Sequence, residues 1–303
     1  MKQASVTLII PTCQRPKELA SCLSSVLGQV PAAREIEVLV CDDGRGEECR
    51  SLLDANFPGV RRIEGPHRGP AANRNTGARA ASGEWLIFLD DDCEPRAGFL
   101  RAYLAAFDSH SPEENIAFEG ATHRIGSADS LLTEAPHNPN GGALISCNFA
   151  ISRRAFLEAG AFDERFPMAA FEDTEFAARW ELSGGRVVFL SAAAVDHPLR
   201  PAPPAGKLAR RWEARVISTY DFGGTTYQVA WKLPRHILLV ILSRFRGKGW
   251  SLDNLKAAFV FGAEFLIVLR LMPGWLLKYH AAPRSAFWVE QEKLGRTPPK
   301  FGL

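Results

Sequence analysis

The sequence predicts an α/β fold with a doubly wound, mostly parallel sheet, and two observations carry that prediction. Short apolar runs alternate with helical patterns through about the first 110 residues, which is the order expected when parallel strands are joined by helices. Polar and acidic residues follow several of the apolar runs directly. Because open α/β sheets bind ligands outside the carboxyl ends of their strands, the same pattern predicts a ligand site.

The expected strands of this first region are short and rich in β-branched residues. Val6 to Ile10 is stopped by Pro11, Ile36 to Cys41 is a second run, and residues 84–89 form a third. Each reads as a buried parallel strand, and residues 60–63 form a weaker candidate. Helices are expected at residues 17–29, at residues 47–56, and from Pro70 to a stop at Gly83.

The pattern loosens beyond residue 110, so the second half is predicted in less detail. Residues 121–142 are rich in Gly, Pro, Asn and His, which predicts a mobile loop over the ligand site. The other expected elements are a helix at 97–107, strands at 116–120 and 143–152, helices at 153–159 and 171–182, and a closing strand at 187–190.

Three consecutive carboxylates, Asp90, Asp91 and Asp92, end the apolar strand 84–89. If strand geometry continues, Asp90 and Asp92 point to one side and Asp91 to the other. Two carboxylates on one side suit Mg²⁺ or Mn²⁺, which prefer oxygen ligands and share them with substrate phosphates. A solvated acidic turn is the alternative for three isolated acids, and the neighbouring motifs favour the metal site.

Composition indicates an ordinary globular protein with an uneven charge. The 303 residues have a net charge of +2, but residues 1–206 carry 20 Lys and Arg against 28 Asp and Glu, whereas residues 207–303 carry 16 against 6. The six cysteines show neither metal-ligand nor disulfide spacing, as expected of reduced thiols in the cytosol. The first apolar run is too short for a signal peptide, so we expect the N-terminal part to stay in the cytoplasm.

Several stretches over roughly residues 5–200 occur in the order typical of one enzyme family. With them the sequence resembles an inverting family 2 glycosyltransferase with the GT-A fold, which joins a Rossmann-like nucleotide-binding half to an acceptor half. Each stretch alone is a weak signal, but the ordered set is specific. The stretches are Thr7 to Pro16, Val40 to Gly44, Gly69 to Asp92, Asn148 to Phe166, and Glu172-Asp173 with Arg179.

The resemblance implies transfer of a sugar from a nucleoside diphosphate to an acceptor hydroxyl. Asp90 and Asp92 would be the metal-site acids for Mn²⁺ or Mg²⁺, with Asp92 the favoured direct ligand. Asp91 would be a supporting residue that faces away from the metal or touches the ribose. The residues implied to bind the nucleotide sugar are Pro11, Thr12, Arg15, Asp42, Asp43, Arg74, Asp90 and Asp91.

Individual roles follow from the same resemblance. Asp42 and Asp43 would bind the nucleobase and ribose, since a carboxylate accepts hydrogen bonds from base N–H groups. Arg74 would pair with the diphosphate through its fork of donors. The alternative for Arg74 is a helix-surface side chain that forms a salt bridge with the acidic cluster.

Inversion requires a general base that deprotonates the acceptor, and the family places it in the Glu172-Asp173 pair. Asp173 is the favoured base and Glu172 the second choice; the alternative is that both only favour the helix dipole. His197 would complete the metal site, because imidazole is a suitable Mn²⁺ ligand. Its alternative is a solvated loop histidine.

The Q-x-x-R-W motif of processive synthases is incomplete. Arg179 and Trp180 are present, but Phe176 stands where the motif has Gln. This departure, with the lack of several long membrane spans, predicts transfer of a single sugar rather than synthesis of a polymer.

We expect two domains, a GT-A domain at residues 1–206 and a basic, Trp-rich helical region at 207–303. The apolar runs 237–242 and 257–272, the second stopped by Pro273, are shorter than the about 20 residues of a spanning helix. Basic flanks and tryptophans predict helices that lie in the membrane surface and bind anionic lipid. The alternative is a helical subdomain packed on the sheet domain. Nucleic-acid binding is not expected, because apolar runs interrupt the basic residues.

The sequence thus predicts a metal-dependent, hexosyltransferase-type enzyme peripheral to the inner face of the cell membrane. Its acceptor is expected to be lipid-linked, a polysaccharide or another envelope component. A sugar-nucleotide-binding protein without activity is one alternative. A nucleotidyltransferase is another, but the loop from Pro11 to Pro16 lacks the glycines of a phosphate loop. The nucleotide, the sugar and the exact acceptor follow no pattern in the sequence.

Overall fold

The computed structural model describes residues 4–127 and 130–296. Contacts divide the chain into two compact units. The first unit contains the residues up to 126 together with 135–167 and 172–198. The second contains 127–134, 168–171 and the residues from 199 onwards. The expected domain boundary at residue 206 stays a prediction.

Short strands and helices alternate through the first unit, as the periodicity predicts. The strands of the described residues are β1 Val6–Thr12, β2 Ile36–Asp42, β3 Arg61–Glu64, β4 Trp85–Leu89, β5 Glu94–Pro95, β6 Ile116–Ile125, β7 Thr133–Glu134, β8 Asn148–Ser152, β9 Arg186–Pro198 and β10 Arg200–Pro201. The helices of the first unit are α1 Pro16–Leu27, α2 Glu48–Asn56, α3 Pro70–Ala80, α4 Phe99–Ser109, α5 Arg153–Glu158 and α6 Glu172–Leu182.

Eight of these strands form the sheet of the first unit, in the order β3-β2-β1-β4-β8-β6-β9-β5. The strands from β3 to β4 are parallel. In the other half, β8 runs antiparallel to both β4 and β6, while β9 is parallel to β6 and antiparallel to β5. The expected doubly wound, mostly parallel sheet is therefore confirmed.

Alternation along the strands builds one core on each face of the sheet. In β4, Trp85 and Ile87 join a core with the apolar sides of α1, α2 and α4. Leu86 and Phe88 join the opposite core, to which α3, α5 and α6 contribute. A ring cluster fills that second core, where Phe88 stacks on Phe149 with centroids 4.8 Å apart. Helices on both faces hold the strand ends in fixed positions.

The strand order places a topological switch between β1 and β4. The chain passes from β1 outward to β2 and β3, then returns to form β4 on the other side of β1. The connections on the two sides of this point diverge, which leaves a crevice at the carboxyl ends of the strands. Thr12 ends β1, and Asp90 follows β4 at this crevice.

The strand expected at residues 143–152 begins only at Asn148, and two further expectations for the second half were wrong at their boundaries. Asp196 and His197 lie inside β9 rather than after it, and β6 continues to Ile125 into the expected loop. The cause is long-range pairing, since β6 and β9 pair in parallel on both sides of an irregularity between Gly120 and Thr122. His197 is consequently buried, so the solvated-loop alternative is wrong.

The second unit is mostly helical and also contains the short antiparallel pair of β7 and β10. Its helices are α7 Ala205–Arg211, α8 Glu213–Asp221, a π-helical turn at Gln228–Lys232, α9 Leu233–Arg244, α10 Leu252–His280 and α11 Ala286–Lys293. Within the described residues, none of the helices is both long enough and apolar enough to cross a membrane.

Pro273 does not end the apolar helix, contrary to the expectation. Helix α10 continues through it to His280. The turn after the proline is held by the buried Trp275 and by Tyr279, whose hydroxyl donates a 2.6 Å hydrogen bond to Glu213 Oε1. Packing of this last turn offsets the backbone hydrogen bond that a proline removes.

Candidate active site

The three carboxylates after β4 lie in a turn and not in a strand. Strand β4 ends at Leu89, and the Cys93 N–H donates to the Asp90 carbonyl at 3.1 Å. The condition under which Asp90 and Asp92 were expected to point to one side, continued strand geometry, is therefore not met. Each carboxylate has its own partners, and those partners come from β1, from Arg15 just before α1, from α3 and from β9.

Asp92 lies between Arg15 and His197. Its Oδ2 accepts a 2.7 Å hydrogen bond from Arg15 Nη1, and its Oδ1 is 3.2 Å from His197 Nε2. Asp92, Cys93 and His197 each offer a ligand atom, and these atoms lie within 4.8 Å of one another. Among the described residues, Asp90 does not join this group, so its metal role stays a prediction.

The surroundings of His197 fit a cation. Its Nδ1 is 3.1 Å from the Pro198 carbonyl, which can only accept, so we assign the proton of the neutral ring to Nδ1. The lone pair on Nε2 then faces the Asp92 carboxylate, an arrangement that needs a proton or a metal ion between the two atoms. Burial opposes protonation, but Asp92 outweighs it and raises the pKa of His197.

Cys93 is a member of this group that the sequence analysis missed. Its thiol is buried and lies 3.8 Å from the Cys147 carbonyl. The neighbouring Cys147 and burial together raise the pKa of Cys93 well above its usual value. The side chain is therefore a neutral thiol, and the oxygen and nitrogen ligands of Asp92 and His197 carry the fit to Mn²⁺ or Mg²⁺.

Asp91 ties the turn to the first strand. The carboxylate is fully buried, accepts a 2.6 Å hydrogen bond from Thr12 Oγ1 and lies 2.5 Å from Arg15 Nη2. Burial raises its pKa to about 7, against the opposing effect of Arg15. These contacts are those of a supporting residue; contact with a ribose stays a prediction.

Arg74 connects the metal turn to the Glu172-Asp173 pair. It is buried in α3, with Nη2 2.5 Å from Asp90 Oδ1 and Nη1 3.4 Å from Glu172 Oε1. The salt bridge to the acidic cluster is present, but in the interior and not on a helix surface. Two bonded carboxylates hold the guanidinium in one orientation. Pairing with a diphosphate stays a prediction.

The two acids at the start of α6 differ in access. Glu172 is buried, and burial together with the charge of Asp173 raises its pKa to about 7. Asp173 is only partly buried and accepts hydrogen bonds from the Thr174 and Ser146 N–H groups at 2.7 and 3.4 Å. Burial raises the pKa of Asp173 as well. Its exposure makes Asp173 the better placed of the two for an external hydroxyl.

The acids at the end of β2 are held by residues that the sequence analysis did not single out. Asp42 is buried and accepts from Arg62 Nη2 at 2.9 Å and from the Gly44 N–H at 3.0 Å. Asp43 accepts from the His67 N–H at 2.5 Å and is less buried than Asp42. Pro11 lies buried within β1. The nucleotide-binding roles of these residues stay predictions.

Comparison with known proteins finds one matching family model and several curated relatives. The model of "Glycosyl transferase family 2" matches residues 7–117. A pre-mycofactocin glycosyltransferase of Mycobacterium tuberculosis is 28% identical over 268 residues, which are 82% of this chain and 53% of the relative. A GalNAc(5)-diNAcBac-PP-undecaprenol β-1,3-glucosyltransferase of Campylobacter jejuni is 28% identical over 182 residues, which are 56% of this chain and 54% of the relative. The chain thus spans about half the length of these curated relatives.

Solved structures agree in fold. GalNAc-T7 with UDP, GalNAc and Mn²⁺ gives a TM-score of 0.57 at 17% identity, with 94% of this chain and 60% of that chain covered. Residues 1–349 of TarS from S. aureus with UDP give a TM-score of 0.54 at 16% identity, with 96% of this chain and 92% of that chain covered. At these identities the likeness shows the fold alone. The match of residues 7–117 to the family, the curated relatives and the GT-A fold agree with the site geometry, and together they support a family 2 glycosyltransferase.

Proposed function

We propose that this protein transfers a single sugar from a nucleoside-diphosphate sugar to an acceptor hydroxyl with inversion. The observation that carries the proposal is the pairing of Asp92 with His197 beside the switch between β1 and β4. Arg74 links the same turn to the acids of α6. The metal ligands, the arginine beside the leaving diphosphate and the general base of this proposal are therefore connected residues of one unit.

The metal site of the proposal consists of Asp92 and His197, with Asp90 nearby. When bound, Mn²⁺ or Mg²⁺ supplies charge that stabilises the departing diphosphate. Arg15 and Arg74 are fixed cations beside this site and complement the same phosphate charge. The acids Asp42 and Asp43, at the end of β2, bind the nucleoside.

Asp173 is the proposed general base. Inversion by a single displacement needs one base that takes the acceptor proton as the sugar carbon is attacked. The Thr174 and Ser146 N–H groups orient the carboxylate. Burial raises the pKa of Asp173, which makes the carboxylate a stronger base than a solvated aspartate.

The function is tested by incubating the full chain with UDP-glucose, UDP-GlcNAc, UDP-GalNAc and GDP-mannose, each with and without Mn²⁺. Released UDP or GDP is measured by chromatography. The proposal expects metal-dependent release from one of these donors, at least through slow transfer to water. Release of inorganic pyrophosphate would indicate a nucleotidyltransferase, and tight donor binding without release would indicate a binding protein.

We further propose that the protein acts at the inner face of the cell membrane, on a lipid-linked or other envelope acceptor. The undecaprenol-linked acceptor in the name of the Campylobacter relative supports this class of acceptor. Stronger support comes from the second unit, where helix α10 carries apolar residues on both of its faces. Residues such as Phe261, Val268 and Met272 are buried on one face.

The opposite face of α10 exposes large apolar side chains to solvent. Phe259 is 80% exposed and Leu277 is 82% exposed, and Leu238, Leu239 and Leu242 of α9 are also exposed. A large exposed apolar surface of this kind marks a site of contact with a partner or a membrane. The cations around it favour an anionic bilayer. We call these residues the apolar stripe: Leu238, Leu239, Leu242, Leu252, Leu255, Phe259, Leu266, Leu269 and Leu277. The exposed cations of the same helices and the segment between them are Arg235, Arg246, Lys248, Lys256, Arg270 and Lys278.

Replacing Phe259 and Leu266 of the apolar stripe with serine is expected to weaken vesicle binding by at least about tenfold. Burying each side chain in lipid contributes on the order of 1.5–3 kcal/mol. Co-sedimentation with vesicles of phosphatidylserine and phosphatidylcholine measures the effect. Ile125→Ser is the matched control, because Ile125 is an exposed apolar residue of the first unit. Full-length protein that stays in the supernatant at low salt, or that forms a stable dimer without lipid, would refute the membrane site.

A further inference from the structure

A buried carboxylate that the proposed mechanism does not use lies in the middle of β6. Glu119 is 1% exposed and occurs in an otherwise apolar run from Ile116 to Gly120. Burial of a carboxylate is costly unless its oxygens accept hydrogen bonds. The residues that satisfy this carboxylate therefore indicate its purpose.

The donors to Glu119 all come from the segment 138–144. Oε1 accepts from Asn138 Nδ2 at 2.5 Å, from the Ala143 N–H at 2.8 Å and from the Leu144 N–H at 2.6 Å, while Oε2 accepts from the Gly142 N–H at 2.7 Å. Three consecutive backbone N–H groups thus converge on one carboxylate. Such a backbone nest binds an anion, and here the anion belongs to the chain itself.

The nest requires an unusual backbone. Gly141, Gly142 and Leu144 have φ angles of +76°, +94° and +40°. Glycine accepts this region without strain, but leucine does so only when its surroundings impose it. At Gly141 an added Cβ would also lie 2.6 Å from the Phe189 ring. Asn138 pairs with Thr122 in an isolated bridge, but residues 141–145 have no regular hydrogen-bonded structure, so Glu119 supplies there what a strand ladder would otherwise provide.

The same segment leads directly to the proposed catalytic groups. Two residues beyond the nest, the Ser146 N–H donates to Asp173 Oδ2 at 3.4 Å. The next carbonyl, that of Cys147, accepts from the Asp90 N–H at 3.3 Å. The backbone that Glu119 fixes is therefore the backbone that contacts both Asp173 and the turn of the metal acids.

We propose that Glu119 is a positioning residue that fixes the segment 138–147 and thereby orients Asp173 for proton transfer. This inference rests on the proposed function of Asp173 as the base. It assigns Glu119 no contact with substrate. A displacement of about 1 Å at a reacting group costs on the order of 100-fold in rate, so loss of the anchor lowers turnover without removing any catalytic group.

The test compares Glu119→Gln with the parent protein. The amide has the size of the carboxylate, but its NH₂ group faces N–H donors and cannot accept from them. We expect faster amide hydrogen exchange at residues 142–146 and unchanged exchange in α1 and α3. The substrate is whichever of the four nucleotide sugars tested above releases its nucleotide. We expect its hydrolysis to slow by about 10- to 100-fold, while the Mn²⁺-dependent affinity for UDP or GDP stays within about threefold of the parent.

The pH dependence separates positioning from simple destabilisation. Burial raises the pKa of Asp173, and the Ser146 and Thr174 N–H groups, the Thr174 hydroxyl and the charge of Arg74 oppose this effect, with Glu172 as the neighbouring acid. When the Ser146 hydrogen bond is lost, the pKa of Asp173 rises, and the acidic limb of the rate profile moves to higher pH. A variant that only lowered the amount of folded protein would leave the limb in place.

A second variant makes the test independent of the folding of Glu119→Gln. In Gly142→Ala the φ of +94° becomes strained although the added Cβ meets open space, so the segment shifts while Glu119 remains. We expect the same faster exchange, slower hydrolysis and shifted acidic limb. Glu113→Gln is the matched control, since Glu113 is an exposed carboxylate just before β6.

The outcomes distinguish this inference from the proposed function. If the parent protein releases no nucleotide from any donor, the proposed function fails. If the parent is active and a folded variant at Glu119 or Gly142 keeps the parent rate and acidic limb, the positioning role is refuted. Fast exchange at residues 142–144 in the parent would refute the anchor itself, whatever the activity.

Discussion

Replacing Asp92 with asparagine is expected to abolish Mn²⁺-dependent binding of nucleotide by this protein. Asparagine keeps the shape of the side chain but removes the negative charge that the cation and His197 share. Loss of groups that only support a metal ligand already costs 10- to 100-fold in affinity, so loss of a direct ligand is expected to cost at least about 100-fold. Isothermal titration of UDP and GDP, with and without Mn²⁺, measures the change.

The control for this substitution is Asp108→Asn. Asp108 is a half-exposed residue at the end of α4 that pairs with Arg34, so the same chemical change there leaves the site intact. Donor affinity that is equal in Asp92→Asn and in the parent would refute the ligand role of Asp92. A matching loss in Asp90→Asn would add Asp90 to the ligands.

Replacing Asp173 with asparagine is expected to lower transfer by about 10²- to 10⁴-fold, the usual range for loss of a general base. Donor affinity is expected to stay within about threefold of the parent. The reason is that Asp173 contacts the Ser146 and Thr174 N–H groups and not the residues of the metal turn. Initial rates at saturating donor, with equilibrium titration of the nucleotide, separate the two effects.

The neighbouring acids provide the controls. Glu181→Gln changes an exposed carboxylate of the same helix and is expected to leave the rate unchanged. Glu172→Gln weakens the pair with Arg74 and is expected to lower the rate less than Asp173→Asn does. If Glu172→Gln abolishes transfer while Asp173→Asn turns over normally, the base is Glu172.

The first half of the fold could be predicted closely because its signals are local. The run from Val6 to Ile10 and the helix beginning near Pro16 depend on neighbours in sequence, and the structure places both within one or two residues of the expected ends. His197 shows the opposite case. Its burial arises from the pairing of β9 with β6, and no local sequence pattern predicts that pairing.

The site could be predicted as a set of residues but not as a set of contacts. The rule for carboxyl ends brings Thr12 and the Asp90–Asp92 turn together. It does not show that Arg15 reaches Asp92, 77 residues away, or that Arg74 reaches Glu172 across 98 residues. Glu119 was missed for the same reason, although a single acid inside an apolar strand run is a signal that its carboxylate has a buried partner.

The sequence also could not predict which face of α10 is exposed. Hydropathy shows that the helix is apolar, but only the packing of Phe261, Val268 and Met272 decides which face is covered. The residues left outside are those of the apolar stripe. The distinction between a membrane-surface helix and a core helix therefore depends on tertiary structure and not on composition.

Arg15 gives the pocket a built-in counter-ion. Its guanidinium contacts both Asp91 and Asp92, and the side chain is 36% exposed. A divalent cation at the proposed site would therefore join carboxylates that Arg15 already compensates and would not enter an uncompensated cluster of acids. With Arg15 in place, the turn does not depend on the cation for charge compensation. Chelation should accordingly remove the metal without unfolding the turn, and rebinding should restore the loaded site.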